Sequence, residues 1–144
     1  MPWDATALWI ADLTFDPTTD RATESGTKIG TKIGTVVLTG AHRVVGQPEE
    51  SLVQPEWAAS GEPFVVSDRS GWWNIYRVAG VDELLPVHPV EAEVGEPAWV
   101  FGQSNYVVAD DGTIWFAHAR DGHAGWSRSR RTGRPRIAAH RSCG

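Results

Sequence analysis

The residues that could carry acid–base or nucleophilic chemistry are one serine, two histidines and a pair of aspartates. Ser104 lies in the run GQSNY, which lacks the second glycine of the Gly-x-Ser-x-Gly turn that exposes a hydrolase nucleophile. His118 and His123 have neither a supporting aspartate in a triad order nor the spacing of metal ligands. Asp110 and Asp111 precede a glycine and are typical of a tight hairpin turn. We therefore predict no catalytic residue, no metal site and no cofactor.

The composition indicates one domain with an aromatic core. The chain has 144 residues and eight tryptophans, and large aromatic side chains bury much surface each. There is no apolar run of about 18 residues, so we expect no transmembrane helix and no membrane partner. The start, MPWDATALWIADL, does not have the pattern of a secretory signal. The single cysteine, Cys143, excludes an internal disulfide framework and favours a reducing, cytoplasmic location.

The charge changes sign near the C-terminus. Residues 1–121 contain 7 Lys and Arg against 18 Asp and Glu, whereas residues 122–144 contain 6 arginines and no acidic residue. We predict a folded unit over residues 1–122 and a basic, disordered tail over residues 123–144. The alternatives for the tail are an arginine-rich arm for nucleic acid and a segment without a function. We favour the second, hypothesise a change of reading frame near His123, and expect no nucleic-acid partner.

Short β-type runs separated by glycine and proline predict an all-β fold of antiparallel hairpins. The runs ALWIADL, TVVLT, PFVVS, WWNIYRV, YVVAD and TIWFAHA are rich in β-branched and aromatic residues. No window of ten or more residues carries a helical apolar stripe with caps. The tandem GTKIGTKIGT, residues 26–35, is predicted to be a loop that leads into the strand TVVLT.

A repeat organises these strands. QPEW at residues 54–57 matches EPAW 42 residues later, and FVVSD at residues 64–68 matches YVVAD at the same spacing. WWNIYRV then aligns with TIWFAHA at 41 residues. A period of about 40–45 residues with about four short strands is typical of a β-propeller blade. The sequence therefore predicts a partial β-propeller of about two to three blades, with a disordered basic tail.

Two pairs in the repeat have both structural and functional interpretations. Alternation places Trp73 on one face of a strand and Trp72 on the other, where they either pack between blades or form a ligand platform. Asp68 and Arg69 either make turn hydrogen bonds and a local ion pair or belong to a functional site. We favour packing and turn formation for both pairs.

The run QPEWAASGEPFVVSDRSGWWNIYRV resembles the propeller domain of the prolyl oligopeptidase family of serine peptidases and, more generally, TolB-like propellers. Ala58, Ala59 and Ser60 depart from the Ser-Pro-Asp portion of the family pattern. The Gly-Trp-Trp-Asn hairpin resembles the dipeptidyl aminopeptidase/acylaminoacyl-peptidase branch. We assign the structural blade motif to Pro55, Trp57, Ser67, Asp68, Arg69, Gly71, Trp72, Trp73, Tyr76, Trp99, Asp111 and Gly112.

The resemblance implies a propeller joined to an α/β-hydrolase domain that cleaves short peptides. This sequence has no hydrolase turn, so we expect the chain alone to be inactive, with a peptide substrate only for a full-length relative. The alternative is a TolB-like module that binds a protein partner, or a second copy of itself, through open blade edges.

Overall fold

The computed structural model describes residues 5–16, 35–97, 99 and 102–130, and in these ranges the regular structure is entirely β. Within the same ranges no helix is long and apolar enough to cross a membrane. Most of the predicted GTKIGTKIGT loop and residues 131–144 of the predicted tail lie outside them. The strands are β1 Leu8–Asp16, β2 Thr35–Val45, β3 Leu52–Trp57, β4 Pro63–Ser67, β5 Asn74–Gly80, β6 Glu83–Pro86, β7 Tyr106–Val108, β8 Thr113–Arg120 and β9 His123–Arg130.

The strands form three antiparallel sheets, each an up-and-down meander of strands that are neighbours in sequence. The first sheet is β1-β2, the second is β3-β4-β5-β6, and the third is β7-β8-β9. The second sheet is a complete four-stranded blade, whereas the described parts of its neighbours supply two and three strands. The predicted all-β class and partial β-propeller are confirmed.

The middle sheet is covered on both faces. On one face, Val65, Tyr76 and Val78 pack with Val44 and Val45 at the end of β2. The other face contributes a second cluster, shared with the third sheet, that contains Phe64, Val66, Ile75, Tyr106, Ile114 and Phe116. Side chains alternate across a strand, so β4 and β5 are apolar at consecutive positions because both of their faces are buried.

The repeat is present, but its register is one residue shorter than the sequence match indicates. Val65 and Tyr76 are cross-strand partners in the first cluster. Tyr106 and Phe116 are cross-strand partners in the second cluster. Both pairs face the preceding sheet, so Val65 corresponds to Tyr106 at 41 residues, not 42, and Tyr76 corresponds to Phe116 at 40, not 41. A slip of one residue moves each side chain to the opposite face, so burial decides the register.

The predicted boundary at residue 123 is wrong, because residues 123–130 form β9 instead of a disordered segment. β9 pairs with β8 along its whole length, from Arg120↔His123 to Thr113↔Arg130. It occupies the fourth-strand position that β6 occupies in the preceding blade. Ladder hydrogen bonds hold an edge strand of this kind, which needs no apolar periodicity of its own. The charge change therefore does not mark the end of the fold.

The predicted alternation in the run WWNIYRV is confirmed, with a shorter strand. β5 begins at Asn74, so Trp72 and Trp73 lie in the connection just before it. Trp73 and Ile75 pack in the second cluster, whereas Tyr76 belongs to the first. Trp72 lies beneath the guanidinium of Arg120, with 5.8 Å between its ring centre and Cζ. The tryptophan pair therefore packs between and beside blades.

Two phenylalanines test whether the junction between the second and third sheets carries the stability of the fold. Phe116 is fully buried, whereas Phe15 on β1 is 63% exposed. We expect Phe116→Ala to lower the free energy of unfolding by about 3–5 kcal/mol, because the surrounding sheets cannot close the cavity. Phe15→Ala should change it by less than about 0.5 kcal/mol in dilute protein. Urea unfolding followed by fluorescence gives both values, and equal losses would contradict the packing.

Candidate functional site

The structure does not bring the candidate catalytic residues together. Ser104 Oγ donates to the Tyr106 carbonyl at 3.1 Å, and no hydrogen bond joins it to a histidine in the described part of the chain. The His118 ring lies against Phe116, and its Nε2 is 3.0 Å from Ser127 Oγ. His123 Nδ1 contacts the Asp121 carbonyl. Among the described residues, no group of three or more His, Cys, Asp or Glu could hold a metal ion.

The glycines that match between the two repeats build two equivalent turns. Gly71 N–H donates to the Asp68 carbonyl, and Gly112 N–H donates to the Ala109 carbonyl, both at 2.8 Å. Gly71 and Gly112 have φ of 84° and 78°, a left-handed conformation that glycine adopts without strain. Asp68 is thus equivalent to Ala109, not to Asp110.

The aspartates of these turns serve different partners. Asp111 Oδ1 accepts the Thr113 N–H at 2.8 Å, the local bond expected of a turn aspartate, and this bond holds the pKa of Asp111 below its ordinary value. Asp68 Oδ1 instead accepts the Ser51 N–H at 2.8 Å, 17 residues away. The side chain of Asp68 therefore ties the β4–β5 turn to the segment that enters β3.

A buried carboxylate, Glu50, is the centre of a polar network that the sequence did not predict. Arg69 donates through Nε and Nη2 to the two oxygens of Glu50, at 2.8 and 3.0 Å. Ser67 Oγ donates to Oε1 at 2.6 Å, and the Gln47 N–H donates to Oε2 at 3.0 Å. The predicted local ion pair of Arg69 with Asp68 is wrong, because Arg69 pairs with Glu50. Glu50 has no motif signal in the sequence beyond its proximity to β3.

The network keeps Glu50 ionised although the residue is only 2% exposed. Burial disfavours the charged carboxylate, but the hydrogen bonds from Arg69, Ser67 and Gln47 outweigh it, so the pKa of Glu50 lies below its ordinary value. A depressed pKa in the folded state stabilises the fold above the unfolded-state pKa, and this contribution is lost as the pH falls through the folded-state pKa.

The side-chain amide of Gln54 joins the second sheet to the third by hydrogen bonds to the backbone of residues 105 and 106. Its Oε1 accepts the Asn105 N–H at 2.7 Å, and its Nε2 donates to the Tyr106 carbonyl at 2.9 Å. The Tyr106 hydroxyl donates to the Gln54 carbonyl at 2.9 Å. Burial, with a further effect from Glu56, raises the pKa of the Tyr106 phenol, so it remains a hydrogen-bond donor. The amide of Gln54 thus reproduces the donor and acceptor of a strand backbone.

The QPEW segment has its own local structure. Pro55 and Trp57 lie in β3, and Trp57 is the last residue of that strand and is exposed. A register shift between Val53 and Glu56 accommodates Gln54 at a φ of 50°. The matching Trp99 is also exposed. The prediction that these tryptophans precede a loop is therefore correct for Trp57, which is followed by a turn at Ala58–Gly61.

A cleft of about 440 Å³ lies between the second and third sheets. Trp73 forms one wall, residues 93–97 form another, and the ends of β8 and β9 form the floor. Of the residues considered above for catalysis, His118 lines the cleft, whereas Ser104 and His123 do not, and neither does Glu50.

Three consecutive antiparallel sheets packed face to face define the class of the protein, an arc of a β-propeller. Among solved structures, the chain is similar to a crystal structure of puromycin hydrolase, with 29% identity and a TM-score of 0.64 over 89% of the chain. A serine-to-alanine mutant of that enzyme complexed with PGG gives the same values. A Mycobacterium tuberculosis puromycin-hydrolyzing peptidase is 30% identical over 82% of the chain, with a TM-score of 0.57.

The similarity covers a small part of these enzymes, since the chain spans 16% of puromycin hydrolase and 15% of the M. tuberculosis peptidase. It supports the predicted resemblance to peptidases of the prolyl oligopeptidase family. No family model matches the chain, and no curated protein matches it.

Two arginine–carboxylate pairs of similar geometry test the importance of the Glu50 network. Arg43 also makes two hydrogen bonds to a carboxylate, that of Asp82, but this pair is exposed. We expect Arg69→Ala to lower the free energy of unfolding by about 3 kcal/mol, because it leaves Glu50 buried without its cation. Arg43→Ala should cost about 1 kcal/mol or less. Urea unfolding at neutral pH distinguishes them, and similar losses would refute a special role for Glu50.

Proposed function

We propose that this chain is a non-catalytic β-propeller portion of a prolyl-oligopeptidase-like serine peptidase. The observation that carries the proposal is the similarity of 89% of the chain to 16% of puromycin hydrolase, at 29% identity. The separation of Ser104 from both histidines in the hydrogen-bond network agrees with a part that performs no hydrolysis. The parent activity in this proposal is the hydrolysis of short peptides.

The branch of the family is a finer part of the proposal. The hairpin Gly-Trp-Trp-Asn, residues 71–74, supports the dipeptidyl aminopeptidase/acylaminoacyl-peptidase branch. In this proposal the longer protein binds the peptide, and the blades act as a scaffold beside the hydrolase domain. A cytoplasmic location is consistent with the single cysteine of the chain.

Translation of the DNA that flanks the coding sequence, in all frames, tests this proposal. We expect further segments with the blade repeat upstream and a Gly-x-Ser-x-Gly hydrolase segment downstream. The physical reason is that the described strands cover both faces of only one complete blade. Flanking DNA that encodes neither blades nor a hydrolase would contradict the proposal.

A second candidate function, a TolB-like protein-binding module, has support from the two outer sheet faces. Leu8 and Ile10 of β1 pack on the first cluster, whereas Trp9, Leu13 and Phe15 are exposed. Leu38 and Val36 lie opposite Leu13 and Phe15 on β2 and are also exposed. We call these five residues the leading face.

The third sheet also has an exposed apolar face. Val107, Trp115 and Trp126 are exposed there, on the side of the sheet away from the second cluster. We call these three residues the trailing face. Arg128 lies over the Trp115 ring, with 5.7 Å between Cζ and the ring centre. Exposed apolar patches of this kind mark interaction surfaces.

In this second candidate the partner is another copy of the chain, bound head to tail. Inside the chain, the sheet side that carries Val66 and Ile75 packs on the sheet side that carries Tyr106 and Phe116. The trailing face corresponds to the side that carries Val66 and Ile75. The leading face corresponds to the side that carries Tyr106 and Phe116. Contact between the two faces would repeat the internal junction, and such a heterologous contact closes into a ring when the rotation permits.

Sedimentation velocity over a range of protein concentrations tests this assembly. We expect a defined oligomer, and we expect Leu13→Lys to weaken it by at least about tenfold because it places a charge in the contact. Val81→Lys is the matched control, since Val81 is equally exposed but lies in the turn between β5 and β6. A monomer at every concentration, unlimited aggregation, or equal effects of the two substitutions would exclude head-to-tail closure.

A further inference from the structure

The cleft between the second and third sheets has the size and lining of a small-molecule site. Its volume of about 440 Å³ lies within the range of about 300–1,000 Å³ that is usual for ligand pockets. Trp73 and Pro97 give it apolar walls. The polar groups are few and come from Glu93, Glu96 and His118, together with Asn105. Neither of the functions proposed above uses this cleft.

Small residues create the space. Ala117, Ala119 and Ala124 form the floor, where β8 turns into β9. Gly95 brings the opposite wall close to the middle sheet, because a Cβ at this position would lie 2.8 Å from Val66 Cγ1 and 3.5 Å from Trp73. A larger residue at position 95 would therefore separate the wall from the Trp73 ring.

Hydrogen bonds of Glu93 fix the position of the cleft wall relative to Trp73 and to Ala119. Its backbone forms a β-bridge with Ala119, with both hydrogen bonds at 2.8 Å. Its Oε2 accepts the Trp73 N–H at 2.9 Å, and the neighbouring Val94 N–H donates to the Trp73 carbonyl at 2.8 Å. Glu93 and Trp73 are thus fixed relative to each other, so the carboxylate and the indole ring form a preorganised pair.

The charge of the lining is negative. Glu93 and Glu96 contribute carboxylates, and the described lining contains no lysine or arginine. Glu96 Oε1 accepts a hydrogen bond from neutral Gln103 at 3.0 Å. The nearby Arg120 is paired with Glu91 and Asp121, at 3.3 and 3.6 Å. A ligand that enters the cleft therefore meets uncompensated negative charge beside an aromatic ring.

We propose that this cleft binds an organic ammonium group carried on a small apolar body. The ammonium would lie beside the Glu93 carboxylate, and the apolar body would pack against Trp73 and the alanine floor. A carboxylate strengthens a hydrogen bond from a cation, and a tryptophan ring attracts the same charge. An anionic ligand would be repelled by both glutamates. A metal ion is disfavoured because two carboxylates supply too few ligands, and no cluster of three or more suitable side chains occurs in the described residues.

Amide and methyl NMR shifts measured during titration with three probes of one shape test the proposal. The probes are phenethylamine, the neutral 2-phenylethanol and the anionic phenylacetate. We expect saturable shifts at the Ala119 methyl and the Trp73 indole with phenethylamine, and affinity at least about tenfold lower for the other two probes. N-acetyl-lysine amide is a fourth probe, which distinguishes a free aromatic amine from a lysine side chain as the source of the ammonium.

Three substitutions locate the binding. Glu93→Gln removes the charge but keeps a side-chain oxygen that can accept the backbone N–H of Trp73. It should weaken the binding of phenethylamine by about tenfold. Ala119 is exposed, so Ala119→Leu adds volume to the floor of the cleft without disturbing the core. This substitution should also abolish the NMR shifts caused by phenethylamine. Glu83→Gln is the matched control, since Glu83 is exposed, carries the same charge and does not line the cleft. It should leave the affinity unchanged.

The proposal fails under any of three results in protein that remains folded. The first is the absence of saturable shifts for both amines at millimolar concentration. The second is equal affinity for phenethylamine and 2-phenylethanol, which would indicate an apolar patch only. The third is an equal loss in Glu83→Gln and Glu93→Gln, which would indicate general attraction to an acidic protein. None of these results depends on whether the chain belongs to a longer peptidase.

Discussion

Burial of both faces of the middle sheet is the constraint on which the rest of the structure depends. β4 and β5 carry apolar side chains on consecutive residues, and a single sheet cannot keep both sets from water. One set packs on the end of β2, and the other packs on β7 and β8. The outer sheets are thereby positioned relative to the middle one, and each presents a further apolar face of its own. The two outer sheets also keep apolar side chains exposed on their outer sides.

Polar groups then fix the connections of the middle sheet and one of its junctions. Apolar packing is not directional, but a buried carboxylate must keep its donors. Glu50 connects the segment before β3 to Arg69 and Ser67 at the end of β4, and Asp68 adds a bond to the Ser51 N–H. Gln54 does the same between β3 and β7 by replacing strand pairing with a side-chain amide. These bonds specify how the connections lie against the sheets.

The cleft lies beside the third sheet, of which the described residues form three strands. In the second blade β3 is the first strand and pairs with β4, whereas Glu93 forms an isolated bridge with Ala119 of β8. The space beside this bridge is lined by carboxylates, alanines and Trp73. A scaffold of propeller type therefore contains a concave, acidic and partly aromatic surface at the junction of two sheets.

Local patterns in the sequence were sufficient for the type of element and for the repeat. β-branched and aromatic runs between glycines predicted β4, β5, β7 and β8, because alternation and turn chemistry act over a few residues. The register, the membership of β9 and the partner of Arg69 were decided by tertiary structure. The match between the two sequence repeats aligned Phe64 with Tyr106, one residue away from the structural equivalent Val65. Only burial against a neighbouring sheet distinguishes the two faces of a strand. β9 carries arginines and little apolar pattern, and only pairing with β8 makes it a strand. Glu50 lies 19 residues from Arg69, and the cleft joins residues from two sheets, so neither arises from short-range physics.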